Sequence, residues 1–253
     1  MTWYDFLNPV FGPLLQLGPF WAISILSLVI TLVMTVIYKF VTDQKLMKSL
    51  KDEQKEYQKE IKSLKDSPKE MMKVQKEMMK KNMEYMKHSL KPTLITMIPI
   101  LLIFGWMAAN LAFEPIYPNE TYSITALFDE KANGQVTLIP DNATKVISDP
   151  TQTIKEKVIW KLKSSSLGNH VIGVRYNNQT YNKKVLISTD LKTEEEIATF
   201  DHSDLKQIKI DYKDLKPLGP NFSIFGWHPG WLGIYIVLSI VLSMILRKLM
   251  KVY

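Results

Sequence analysis

The sequence predicts a membrane α-helical protein with three transmembrane helices, a cytosolic antiparallel helical hairpin and an extracytosolic all-β, immunoglobulin-like sandwich domain. Three observations predict it. Charge is absent from Phe6 to Tyr38, Pro92 to Phe113 and Pro217 to Leu246, and each stretch supplies the ~20 apolar residues a helix needs to cross about 30 Å of hydrocarbon. Between the first two stretches Lys and Glu alternate around an apolar seam, as in paired helices. Between the last two, short runs alternate polar and apolar residues, as in half-buried strands. Whole-chain averages conceal this pattern: 46% hydrophobic and 23% charged residues, with a mean hydropathy of −0.05, would suit a soluble protein. The lack of cysteine excludes a disulfide scaffold or a thiolate metal site.

Residues 1–20 form the first element. Met1 to Leu7 is acidic and aromatic, without the basic start of a signal peptide. Trp3 to Phe20 carries three prolines and two glycines, too broken for a span. It reads as an interfacial segment on the outside, held by Trp3, Tyr4 and Trp21 at headgroup level. Residues 21–40 are the first span, in which Ser24, Ser27, Thr31, Thr35 and Tyr38 recur every three or four positions and so share one helix face.

Residues 41–91 are the hairpin. Met47, Leu50, Gln54, Tyr57, Ile61 and Leu64 fall on a and d positions of a heptad, as in a coiled coil. Asp66-Ser67-Pro68 ends the first helix, and a proline suits the start of the next. That second helix holds Met71, Met72, Met78, Met79, Met83 and Met86, six methionines within sixteen residues. They either fill the seam or add a pliable surface for apolar clients or the ribosome, since unbranched thioethers repack easily. The fifteen lysines of 39–91, against nine acids, are either a solvated face or a surface for anionic lipid or ribosomal RNA. No sequence-specific nucleic-acid motif occurs.

Residues 92–113 are the second span, with Thr93, Thr96 and Asn110 as its polar residues and Pro99 as a kink point. Residues 114–226 form the β domain, whose runs Tyr122–Phe128, Gly134–Ile139, Lys155–Leu162, His170–Tyr176, Thr180–Ser188 and Gln207–Tyr212 predict six or seven strands. Asn177-Asn178 makes a hairpin turn, and Trp160 is a core candidate. Residues 227–246 are the third span, with Tyr235, Ser239 and Ser243 four apart, and 247–253 form a basic cytosolic tail.

Charge orients the chain. Residues 39–91 carry +6 and 247–253 carry +3, whereas 1–38 and 114–216 carry −1 each. Basic loops stay cytosolic, so the N-terminus is outside and the C-terminus inside. Four glycosylation sequons, at Asn119, Asn142, Asn178 and Asn221, all fall in the external segment.

The three chargeless stretches hold no Asp, Glu, Lys or Arg, which argues against a carboxylate-lined ion path or proton relay. Their hydroxyl residues are either packing contacts or the wall of a hydrated groove. With no triad, metal cluster or phosphate loop, the expectation is a protein that is not an enzyme and takes no cofactor or metal.

The order of a span, a charged hairpin, a second span, an external segment and a basic-ended third span resembles the Oxa/YidC superfamily of membrane insertases. It is most similar to an archaeal three-span branch related to subunit 3 of the ER membrane complex. The residues that carry the resemblance are Met86-Lys87 through Lys91-Pro92 to Ile98-Pro99-Ile100-Leu101-Leu102-Ile103-Phe104-Gly105-Trp106, and Gly230-Trp231-Leu232-Gly233-Ile234-Tyr235 through Ile245-Leu246-Arg247-Lys248-Leu249. The resemblance implies a groove that receives hydrophobic segments of nascent membrane proteins, a hairpin that meets client or ribosome, an archaeal plasma-membrane setting, and an additional membrane subunit where one completes the groove. Bacterial members carry a groove arginine. None lies in the predicted spans, so the expected groove is lined by hydroxyls alone. An alternative from another class is a surface adhesion or recognition protein, anchored by its spans, with the β domain as binding module.

Overall fold

The computed structural model describes residues 4–64 and 66–252. Trp3, assigned above to the interface, lies outside them. The chain divides into two units, one of residues up to Gly105 together with those from Leu232 onward, the other Trp106–Trp231.

In the first unit, prolines and glycines break residues 5–17 into single turns around α1 (Asn8–Phe11). Gly18, at φ 89°, ends that run, and Pro19 opens α2 (Pro19–Val41) from a first-turn position where its missing N–H costs nothing. The buried residues of α2, namely Ala22, Ile23, Leu26, Ser27, Ile30, Thr31 and Thr35, fall at helical spacing on one face. Leu28, Val29, Leu32 and Val33 stand exposed on another, as a lipid-facing surface requires.

Asp43 caps α3 (Gln44–Ser63), its carboxylate accepting from the N–H groups of Lys45 and Leu46. α3 runs beside the first half of α4 (Pro68–Leu111): Gln54 donates to Asn82 Oδ1 at 3.2 Å, and Lys81 pairs with Glu53 at 3.0 Å. Met47 and Leu50 are buried, while Tyr57 and Ile61 are half-buried along the same stripe.

In α4 the second hairpin helix and the second span are one continuous helix of 44 residues, which passes through Pro92 and Pro99. Each proline removes one ladder donor, and near Pro92 the Thr93 and Thr96 hydroxyls donate to the Ser89 and Pro92 carbonyls at 2.9 Å each. α5 (Trp231–Met250) ends in Arg247 and Lys248, cations placed well for a helix C-terminus. Among the described residues, α2, α4 and α5 are the helices long and apolar enough to cross a membrane.

The second unit is a two-sheet antiparallel sandwich of β1 (Thr121–Phe128), β2 (Gln135–Ile139), β3 (Thr144–Val146), β4 (Thr151–Thr153), β5 (Lys157–Ser164), β6 (Gly168–Tyr176), β7 (Gln179–Ile187), β8 (Ile197–Thr199) and β9 (Leu205–Ile210). One sheet has the order β3-β5-β1-β9-β8 and the other β4-β2-β6-β7. β3, β4 and β8 are additions to the six runs read from sequence. With three residues apiece, none is long enough to display an alternation.

Strict alternation in β5 turns Val158, Trp160, Leu162 and Ser164 inward and Lys157, Ile159, Lys161 and Lys163 outward. Trp160 is fully buried, and its indole N–H donates to the Pro150 carbonyl at 3.1 Å. The β6–β7 turn falls on Asn177-Asn178, whose φ values of 47° and 61° suit a two-residue hairpin loop. Buried His170 is structural: Nδ1 lies 2.7 Å from Asp141 Oδ2, and Nε2 is 2.9 Å from the Ser166 carbonyl. Exposed His202 sits in a turn at φ 61°.

Candidate functional site

Within the first unit, α2, α4 and α5 line an open cavity of about 750 Å³. Seven of the ten groove candidates line it: Thr31 and Thr35 from α2, Thr93 and Thr96 from α4, and Tyr235, Ser239 and Ser243 from α5. Helical periodicity explains the convergence, because each pair or triplet recurs at three- or four-residue spacing and must occupy one face. Apolar atoms of Met34, Met97, Ile100, Leu101, Ile240 and Met244 complete the wall. Phe104 meets Tyr235 edge to face at a centroid distance of 4.7 Å.

The three remaining candidates lie elsewhere. Ser24 and Ser27 bond to the carbonyls of Phe20 and Ile23, at 2.8 and 2.7 Å, in the part of α2 that precedes the cavity. Asn110 turns its amide onto the Trp106 carbonyl at 2.8 Å.

Five hydroxyls of the wall share one polarity. Thr31 donates to Ser27 O at 2.6 Å, Thr35 to Thr31 O at 2.7 Å, Thr93 to Ser89 O at 2.9 Å, Thr96 to Pro92 O at 2.9 Å, and Ser239 to Ile236 O at 3.0 Å. A hydroxyl has one proton and two lone pairs. With the proton committed to its own helix, each presents acceptor capacity to the cavity. The wall is suited to water and to the donor groups of a polar side chain.

The expectation of a groove lined by hydroxyls alone is corrected by Arg247, which also lines the cavity. Its guanidinium carbon lies 5.0 Å from the centre of the Tyr38 ring, a cation–π contact. Sequence reading assigned Arg247 to the tail because apolarity ends at Leu246. The signal was present all the same: 235, 239, 243 and 247 form one four-residue series, and α5 continues to Met250. Tyr38, likewise, stood in the α2 stripe without being counted as a site residue.

The methionines of α4 divide between two faces. Met71 and Met78 are half-buried, whereas Met72, Met79, Met83 and Met86 are 48% to 68% exposed. The paired-helix seam therefore accounts for two of the six. The four sequon asparagines, Asn119, Asn142, Asn178 and Asn221, are all exposed. Among the described residues there is no cluster of three or more His, Cys, Asp or Glu side chains able to hold a metal ion.

A family model described as integral membrane protein EMC3/TMCO1-like matches residues 8–131, from α1 through β1. No curated protein and no solved structure matches the chain.

Proposed function

We propose, from the match of residues 8–131 to the EMC3/TMCO1-like family of integral membrane proteins, that this chain is a membrane protein insertase or chaperone that receives hydrophobic segments of nascent membrane proteins in the cavity of α2, α4 and α5. The observation that carries this reading is the composition of the cavity wall, where hydroxyl oxygens and one guanidinium interrupt three otherwise apolar helices.

The energetics suit such a role without a chemical step. A charged side chain at mid-bilayer costs about 2.5 to 3.5 kcal/mol on insertion scales, so the polar flank of a client crosses lipid slowly. A wall of acceptors keeps water at depth and shortens the dry path. The client's own apolar segment then supplies about 25 cal/mol for each Å² removed from water. Arg247 adds a donor at one end, suited to a client carboxylate or backbone carbonyl.

The charge distribution supports an orientation with the N-terminus outside, residues 41–91 and 247–253 in the cytosol and the immunoglobulin-like β domain of 114–226 outside; the archaeal plasma membrane is the setting that the resemblance to the three-span insertases implies. In that frame the exposed methionines of α4 and the +6 charge of 39–91 face the compartment where ribosomes deliver clients. A further membrane subunit would close the lipid-facing side of the cavity.

Because the chain lacks cysteine, single cysteines at Thr31, Thr35, Ser239 and Met79 give unambiguous crosslinks to a client stalled on the ribosome. The expected result is crosslinking from all four positions. Normal thiol labelling at every site with no client adduct at any of them overturns the proposal.

A further inference from the structure

The outer face of the five-stranded sheet carries a charge arrangement that the sandwich itself does not require. Lys145 of β3 stands directly opposite Lys163 of β5, and Lys157 and Lys161 share the same outward face of β5. All four are exposed, and none takes part in an ion pair or hydrogen bond from its side chain among the described residues. The other lysines nearby are matched: Lys206 with Asp129, Lys209 with Glu196 and Lys213 with Glu120. Like charges placed directly across a strand pair destabilise a sheet. An uncompensated Lys145–Lys163 pair is therefore unfavourable unless an external anion offsets it.

Apolar side chains alternate with these lysines. Ile159, between Lys157 and Lys161, is 49% exposed, and Ile147, which donates its N–H to the Lys161 carbonyl beside β5, is 50% exposed. The result is a flat face of four lysines and two isoleucines. The chain on both sides of this unit continues into an apolar helix, α4 ending at Leu111 and α5 beginning at Trp231. With both ends anchored, the sandwich is held at high effective concentration near the bilayer surface.

We propose that the Lys145, Lys157, Lys161 and Lys163 face of the sandwich docks onto anionic lipid headgroups, with Ile147 and Ile159 entering the interfacial layer. Lysine stems lie along apolar surface while their ammonium groups reach the headgroups, which suits the alternation seen here. Each lysine near an anionic surface favours binding about fivefold, so four of them can hold a tethered domain. This rests on the membrane-spanning reading of α2, α4 and α5, but not on client transfer. It also concerns a different surface from the lysines of 39–91.

The test uses the full chain with Ile159→Cys, labelled with a polarity-sensitive dye and placed in nanodiscs of phosphatidylcholine alone or with phosphatidylglycerol. The expected result is a blue-shifted emission in the anionic discs only. At 1 M salt, where the Debye length falls to about 3 Å, the shift disappears. Lys145→Glu with Lys161→Glu and Lys163→Glu abolishes it, while an unchanged circular dichroism spectrum establishes that the sandwich is folded. Equal emission in both discs overturns the proposal, and so does a shift that appears only on adding a polyglutamate peptide, which would assign the face to an acidic protein. Client crosslinking at Ser239→Cys, measured on the same discs, reports separately on the proposed function.

Discussion

The Arg247 guanidinium carbon sits 5.0 Å from the centre of the Tyr38 ring, so the last turns of α5 and α2 meet at one end of the hydroxyl-lined cavity. A ring face holds a cation while leaving guanidinium N–H groups free to donate. Arg247 can therefore be both anchored by Tyr38 and available to a client.

Replacing Arg247 tests that double role. Arg247→Gln should reduce crosslinking from Ser239→Cys to a client with an acidic flank by roughly ten- to a hundredfold, the equivalent of one charge-assisted hydrogen bond. A client without acidic residues should be much less affected. Equal losses for the two clients would indicate a structural role, and Tyr38→Leu should reproduce part of the client-specific loss.

Seam and surface residues of the paired helices should separate cleanly. Leu50 is 1% exposed, and Leu50→Ala should destabilise the α3–α4 pairing by about 2 to 5 kcal/mol, seen as faster amide exchange across both helices. Met79→Ala and Met83→Ala remove side chains that are 60% and 53% exposed. They should leave exchange unchanged and lower client capture several-fold. Faster exchange in the methionine variants would place those side chains in the packing instead.

Acid should weaken the sandwich at a definable point. Burial opposes ionisation of Asp141, but hydrogen bonds from Thr144 and His170, the positive charge of His170 when protonated and the Ala143 N–H together hold its pKa below the ordinary 3.8. A carboxyl with a depressed folded-state pKa stabilises fully above its unfolded value, and that contribution is lost as pH falls through the folded one. The stability advantage of the native chain over Asp141→Asn should be undiminished from pH 7 down to about pH 5. Below pH 4 or so it should shrink, as followed by the thermal midpoint. A difference independent of pH would show that the carboxylate charge contributes nothing.

The sandwich is separable by design of its neck. Glu114 N–H donates to Lys213 O at 2.8 Å and Leu215 N–H to Ala112 O at 2.9 Å, so the entering and leaving strands form a short ladder. Replacing residues 118–210 by a Gly-Ser linker leaves that ladder in place. Crosslinking from Thr35→Cys should persist within about twofold, a margin under 0.5 kcal/mol. Complete loss would favour the adhesion reading, in which the sandwich is the working part.

What could be read from the sequence follows from how many residues carry each signal. The chargeless windows and the long alternating strands repeat their pattern over many positions, and α2, α5, β1, β5, β6 and β7 match them closely. β3, β4 and β8 offer three residues each and depend on neighbours for pairing. The boundary at Pro92 marks where charge ends, and charge says nothing of helix continuity, so the single course of α4 through it carries no sequence signal. In the cavity, the periodic stripes and the lining overlap without coinciding. Ser24 and Ser27 share the stripe of Thr31 and lie outside the cavity, while Arg247 extends the stripe of Ser243 and lies within it.

The unbroken course of α4 gives the molecule a mechanical property. A helix of 44 residues is a rod of about 66 Å at 1.5 Å per residue, and it bears exposed Met72 and Met79 toward one end and cavity-lining Thr96 and Leu101 farther along. Helices bend far less readily than loops, so force applied to the methionine end arrives at the cavity wall as tilt or axial twist.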